Sequence, residues 1–487
     1  MTALAQARRL TRAHRPAGTL TDRYTLFFGL AVALGLIAAP LLPVVRGLSS
    51  GQTHPERAVL AASMLLLAVT GVAQVARVIG PLFLPPSDAH WLLLTPLPRR
   101  AVLTRVALLL ALTAAVLGSL LGVATLAAVG TPNALVTGAA ATAGAATMLT
   151  LTVATVRWQA SRAKWPRIVL SAAFVVGEGF AIAWALGLRM TPAMPATSTV
   201  VMATGALLIL VTMLIWYAWR SLRDFPAAAV VQASQRLGSA ADATIGLDPF
   251  HLSLVAEDRY WTSRRMRSRG WPRLRPQWLA ALADARTLAR RPGRLAVLAA
   301  AVAWPTLLAL MTSGQHIAVI LLLGAGTLSA AAAGLATLRR DVADPSLRRM
   351  LGVDPAAADA ARLALPGLLG GGWLTAALIC GTVMGILPPG PWWAFGPLAA
   401  PVIAVAARRL ARRGPIDHTS TLIVMPMTGS QLPTGWLLWS FKGLDVAVLG
   451  TLPALLALAT ARVTAFALFA QLALSALVLA VALRSRP

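Results

Sequence analysis

Lysine and glutamate are nearly missing from this chain. Lys164 and Lys442 are its two lysines, and Glu56, Glu178 and Glu257 its three glutamates, in 487 residues. A phosphate-binding loop needs Lys followed by Ser or Thr after a glycine-rich run, because the ammonium and hydroxyl hold the phosphates and their metal. Lys164 precedes Trp165 and Lys442 precedes Gly443, so the chain carries no Walker-type ATPase. Cys380 stands alone, which excludes an intrachain disulfide and a cysteine-based metal site. The six histidines are scattered, and HExxH, aspartate-rich and GxSxG patterns are missing. Without paired carboxylates, metal ligands or an activated nucleophile, the expectation is a non-enzyme with no metal and no cofactor of its own.

Charge of any kind is scarce. Only 12% of residues are charged, against roughly 25% in ordinary soluble domains. With 57% hydrophobic residues and a mean hydropathy of +0.73, the chain has too little polar surface to cover itself in water. Its apolar runs repeatedly reach the ~20 residues that a helix needs to cross a bilayer. The predicted fold class is all-α, a polytopic membrane protein with about twelve transmembrane helices arranged as two six-helix halves.

The predicted spans of the first half are 25–45, 58–79, 101–129, 134–155, 168–187 and 198–219. Those of the second are 295–312, 317–338, 362–387, 392–407, 444–460 and 465–483, with 392–407 the weakest. The organisation is then 1–220 for the first interfacial helix and six spans, 221–294 for a cytoplasmic connector with a second interfacial helix, and 295–487 for the remaining spans. The first 24 residues are basic and lack an apolar core, so the first span is expected to stay as an anchor.

The net charge of +27 could signal nucleic-acid binding, but the position of the arginines points elsewhere. With both termini in the cytoplasm, inside segments hold Arg8, Arg9, Arg12 and Arg15, then Arg99 and Arg100, then Arg157, Arg162, Lys164 and Arg167. Arg339, Arg340, Arg348 and Arg349, then Arg408, Arg409, Arg412 and Arg413, and finally Arg484 and Arg486 fall on the same side. Outside loops hold little beyond Arg46, Arg57, Arg189 and Arg462. This is the positive-inside bias of membrane loops, and no nucleic-acid partner is needed to account for it. The connector's RRMRSRGWPRLRP run reads as a loosely ordered segment against anionic headgroups or as a contact for a cytoplasmic subunit.

The halves share a plan, as transporter repeats do. Each opens on a basic amphipathic stretch, ALAQARRLTRAHR at 3–15 and WLAALADARTLARRPGR at 278–294. In the second, Leu279, Leu282 and Leu288 fall near one face of a helix expected along the interface. Each half then makes two spans and crosses the cytoplasm through a comparable segment. These are SDAHWLLLTPLPRRAVL at 87–103, with Asp88 placed to cap a turn of helix over His90–Leu94, and ADPSLRRMLGVDPAAADAARL at 343–363.

An interfacial helix, two spans, a short cytoplasmic helix within LLLTPLPRRAVL at 92–103, and four more spans resemble the permease of type-2 ABC exporters. ARTLARRPGRLAV at 285–297 is similar to that family's lead-in to a first span, and STLIVMPMTGSQLPTGWLLWSFKG at 420–443 resembles a segment of fused two-repeat actinobacterial members. The resemblance implies a cytoplasmic-membrane exporter subunit driven by separate ABC ATPase subunits, two per chain, which would carry the ATP and magnesium. No permease homodimer is then required. It also implies coupling contacts at Asp88, His90, Trp91, Arg99 and Arg100, and at Asp344, Arg348, Arg349 and Asp354. The second set departs from the family pattern, with RRMLGVDPAA where a Pro–basic turn is expected.

Within the spans, one carboxylate lies deep: Glu178, in AAFVVGEGFAIAWAL. Gly177 and Gly179 beside it permit a close helix contact, so it reads either as a packing hydrogen bond or as part of a gate or substrate path. GSLLG at 118–122 and GLLGG at 367–371 are small-residue seams of the kind that pack membrane helices. The alternative functional reading is an ATP-independent secondary transporter or a membrane scaffold subunit.

Overall fold

The computed structural model describes residues 57–95, 97–129, 134–161, 165–188, 197–245, 270, 275–311, 316–338, 341, 354–413, 422–424, 431–433, 439 and 441–484. The expected interfacial helix at 3–15 and the expected span at 25–45 lie outside them. The chain divides into two compact units, Met1–Asp242 and Ala243–Pro487.

Unit one contains α1 (Ala58–Ile79), α2 (Pro86–Leu94), α3 (Arg99–Val129), α4 (Ala134–Ala160), α5 (Trp165–Ala185), α6 (Thr197–Ser221) and α7 (Ala227–Ile245). Helix α3 packs on α4, α1 on α5, and α4 on α6. The α3–α4 contact is made by backbone. A Cβ on Gly144 would overlap the Gly118 carbonyl oxygen and come within 3.0 Å of Gly122 Cα, and one on Gly122 would overlap the Ala140 carbonyl. The GSLLG motif is thus a packing seam, in which missing side chains let two helices approach closely.

Unit two contains α8 (Pro276–Ala289), α9 (Pro292–Ala300), α10 (Trp304–Met311), α11 (His316–Ala333), α12 (Pro355–Ala361), α13 (Ala364–Val383) and α14 (Phe395–Ala411). The strands β1 (Leu422–Val424) and β2 (Gln431–Pro433), then α15 (Leu444–Gly450), α16 (Leu452–Thr460) and α17 (Ala465–Arg484), complete it. Helix α13 packs on α11 and α14, and α14 on α17. Helices α13 and α14 meet at glycines as well. A Cβ on Gly371 would lie 2.7 Å from Ala400 Cβ, and one on Gly396 2.6 Å from the Gly371 carbonyl oxygen.

Among the described residues, eight helical stretches are long and apolar enough to cross a membrane. They are Arg99–Ala127, Ala134–Ala160, Ile168–Ala185, Ser198–Asp224, Pro292–Leu310, Ala356–Val383, Trp392–Ala411 and Ala465–Arg484, with shorter apolar helices at Ala58–Gln74 and Ile317–Ala333. Large side chains stand exposed along them, including Leu108, Leu109 and Leu112 on α3 and Phe466 and Phe469 on α17. Such surface would be a liability in water and is what lipid contact requires. The protein is a multi-pass membrane protein.

The structure revises several details. Trp392–Ala411, weakest by sequence, is instead the most enclosed stretch, with Trp392 and Phe395 each 1% exposed. The stretch 392–407 looked weak because it is short and opens on PWWAFG, whose tryptophans suit an interface, yet Trp392 packs inward. The expected span 444–460 is two short helices joined at Thr451, because Pro453 has no N–H to continue the ladder. Gln471 Nε2, fully buried on α17, donates to the Gly450 carbonyl at 2.8 Å beside this break. The segment 420–443 holds an antiparallel pair, with Ile423 opposite Leu432, in an otherwise helical fold. The connector's RRMRSRGWPRLRP run lies almost wholly outside the described residues; the start of the connector is α7, a helix whose Val230, Ala233 and Ser234 are fully buried.

Candidate functional site

Helix α2 is the element between the first two described long helices of unit one. Its start lies earlier than the sequence suggested. Pro85 is the N-cap and Pro86 the first helical residue, while Asp88 sits in the first turn, where its negative charge suits the helix dipole. Capping by the Asp88 side chain is therefore corrected: a proline at the first position needs no N–H partner, so the turn begins there.

The helix is divided by face. Ala89, Leu92 and Leu93 are buried with Leu82, Leu84, Val102, Leu103, Val156 and Val230. Burying each leucine contributes roughly 1.5–3 kcal/mol. His90 and Trp91 point outward, Trp91 being 73% exposed. Hydrogen bonds fix the approach to α2. Gln159 on α4 exchanges two of them with Leu82, accepting from its N–H at 3.0 Å and donating to its carbonyl at 2.9 Å. The Leu84 N–H donates to Ser234 Oγ on α7 at 2.9 Å. Gly80 turns the chain out of α1 at φ +96°, and a Cβ there would lie 2.7 Å from Ala233 Cβ. The outward Trp91 is consequently mounted on a rigid base.

Arg99 and Arg100 stand just past α2 and bind elsewhere. Arg99 Nη1 donates to the Phe225 carbonyl at 3.1 Å, and Arg100 lies 4.8 Å over the Trp219 ring. The structure therefore brings Asp88, His90, Trp91, Arg99 and Arg100 into one region of unit one. Of the second set, Asp344, Arg348 and Arg349 lie outside the described residues. Asp354 caps α12, accepting from the Ala356 and Ala357 N–H groups at 3.3 and 3.0 Å.

Sequence reading missed the most densely ionic place in unit two. Arg362, 4% exposed, donates through Nη2 to Asp341 Oδ2 at 2.5 Å and to Thr337 Oγ1 at 3.2 Å. Its Nε lies 3.4 Å from Asp284 Oδ2. The Thr337 N–H and hydroxyl both donate to Asp284 Oδ1, at 2.7 Å each. Nearby Arg412 pairs with buried Asp359. Asp284 is 1% exposed, so α8 does not simply lie along an interface with its leucines inward; its acidic position faces the protein. The signal available was an aspartate at mid-helix in ALADARTL and the ADAAR spacing of Asp359 and Arg362. Neither shows which partner completes the pair.

Burial pushes the Asp284 carboxyl up to about 6, outweighing the two Thr337 hydrogen bonds and the Arg362 charge. Between 3.8, the ordinary aspartate value, and about 6 the folded chain holds a proton that the unfolded chain has released. This contribution is fully present below the ordinary value and is lost as pH rises through about 6, an effect of about 3 kcal/mol. Asp284→Asn keeps an acceptor for Thr337 and should flatten the fall in unfolding midpoint across that range. A variant with the wild-type slope would show that another group is responsible.

The arginines closing α14 are also engaged. Arg408 donates to the Ala482 carbonyl at 3.0 Å, Arg409 pairs with Asp445 at 3.0 Å, and Arg413 Nε donates to the Lys442 carbonyl at 2.8 Å. They tie the end of α14 to the start of α15 and the end of α17.

Glu178 lies on α5, which packs on α1, and is 5% exposed. Its Oε1 has no hydrogen-bond partner, so the packing hydrogen bond expected of it is not seen at that atom. Among the described residues, no three His, Cys, Asp or Glu side chains converge as a metal centre.

The profile of a family of unknown function, DUF6297, matches residues 52–421. No curated protein and no solved structure matches the chain.

Proposed function

We propose that this chain, which belongs to the DUF6297 family of unknown function, is the permease subunit of an ABC exporter in a cytoplasmic membrane. The observation that carries the reading is α2, with Trp91 73% exposed on a helix whose opposite face is locked into unit one. An exposed tryptophan on a rigid mount is the usual form of an energetic anchor for a protein partner. On this reading both termini are cytoplasmic, the twelve-span topology holds, and separate ATPase subunits supply the work. Asp88, His90 and Trp91 face the ATPase, while Arg99 and Arg100 hold the base of the coupling helix. Asp354 and α12 form the second, less regular contact. Glycine seams between the third and fourth spans of both halves support the tandem repeat.

Purification at native expression in mild detergent should recover a P-loop ATPase with the chain. Trp91→Ala should reduce that recovery at least about tenfold, the effect of losing one interface anchor. A lone chain with no ATPase, from cells expressing the neighbouring genes, would overturn the assignment.

The ATP-independent transporter reading has one observation of its own, the buried Glu178 with an unpartnered oxygen. It requires Glu178→Gln to abolish transport while nucleotide depletion leaves it intact. The exporter reading requires nucleotide depletion to stop it.

A further inference from the structure

Where α3 begins and α6 ends, unit one has an open groove lined by Pro98, Arg99, Arg100, Ala101, Thr104 and Arg223. We infer that this groove binds the phosphate headgroup of an anionic phospholipid.

Three guanidinium groups converge there and no carboxylate lines it. The Arg223 side chain is exposed and makes no hydrogen bond or ion pair among the described residues. Arg99 uses one nitrogen on the Phe225 carbonyl and has no acidic partner among the described residues, and Arg100 lies over the Trp219 ring. Guanidinium groups present paired donors that match phosphate oxygens, and they are always charged. Three such groups without counter-charge repel one another unless an anion joins them.

The depth of the groove identifies the source of the phosphate. Both Arg99–Ala127 and Ser198–Asp224 are membrane-spanning stretches, and the groove joins their polar ends. Just inside it on α6 is a belt of aromatic–arginine pairs. Arg220 lies 3.8 Å over Trp216, and Arg157 lies 4.6 Å over Tyr217 while donating to its hydroxyl at 2.8 Å. Trp and Tyr mark the lipid–water boundary. The three guanidinium groups of the groove therefore sit at headgroup level. Leu108, Leu109 and Leu112, exposed farther along α3, offer an apolar wall to acyl chains. A free phosphate compound would match the charge and leave that wall unused. The inference requires no ATPase partner, so it stands or falls separately from the exporter reading.

The test uses the full chain in a neutral detergent, with thermal unfolding followed against added phosphatidylglycerol, phosphatidylcholine, or inorganic phosphate. Phosphatidylglycerol should raise the midpoint in a saturable way, phosphatidylcholine much less, and inorganic phosphate at equal concentration not at all. Each arginine removed, as Arg99→Gln or Arg223→Gln, should weaken the apparent phosphatidylglycerol affinity about fivefold. Arg223→Lys should retain most of it, and Arg462→Gln, at an exposed site outside the groove, should leave it unchanged. The Arg223 side chain is exposed and bonds to none of the described residues, so its variant reports on binding rather than folding. Equal responses to the two lipids, wild-type affinity in Arg223→Gln, or an equal response to inorganic phosphate would each overturn the assignment.

Discussion

Arg362→Met will unfold unit two at a markedly lower temperature than the wild type, with a loss of about 3–5 kcal/mol. Methionine fills much of the space but leaves Asp284 and Asp341 without the Arg362 cation, so that Asp284 must either stay buried as a charge or take up a proton at pH 7. Asp284 is already buried enough to be pushed up to about 6 with the arginine present. Removing one partner of a buried ionic set costs more than the set contributes, since the remaining charges stay desolvated. The companion variant, Arg362→Met with Asp284→Asn and Asp341→Asn, removes all three charges and should recover most of the loss. Unfolding midpoints in detergent at pH 7 measure both. If Arg362→Met melts with the wild type, the Asp284–Arg362–Asp341 contacts do not hold α8 to the spans.

Gly144→Leu will prevent unit one from assembling. A side chain at this position would enter the Gly118 carbonyl and the Gly122 backbone, and neither can rotate aside as a side chain could. The helices α3 and α4 would have to separate along their length. Overpacking in a core costs about 1–3 kcal/mol where side chains can yield, and more is expected where backbone must move. Gly138→Leu provides the comparison on the same helix, since nothing lies within 4 Å of a Cβ there. Size-exclusion profiles after detergent extraction should show a monodisperse Gly138→Leu protein and aggregated Gly144→Leu protein. A well-folded Gly144→Leu protein would mean that α3 and α4 do not pack through glycine.

These two variants also mark the reach of the sequence. The glycine seams were legible because small residues four apart on an apolar helix have few other uses. The ionic network was not. Asp284, Asp341 and Arg362 each sit in a segment that reads well as polar interface, and their pairing depends on how α8 folds back. Helix α2 was legible as a short helix between spans, but the division of its neighbours was hidden. Arg99 and Arg100 adjoin it in sequence, and only Phe225, Trp219 and Arg223, far along the chain, show which way those guanidinium groups turn.

Composition alone determined that this protein lives in a membrane. A chain with 12% charged residues and repeated apolar runs cannot be dissolved by its surface, and no packing changes that balance. The same scarcity leaves no lysine followed by Ser or Thr, the pair that a phosphate-binding loop uses. Tertiary structure decided where charge meets charge. Apolar periodicity fixes which residues enter a bilayer, but a buried ion pair or an open arginine depends on distances between segments tens of positions apart or more. Those distances separate the arginines that close α14, which are bonded into the fold, from Arg223, which is left open to a ligand.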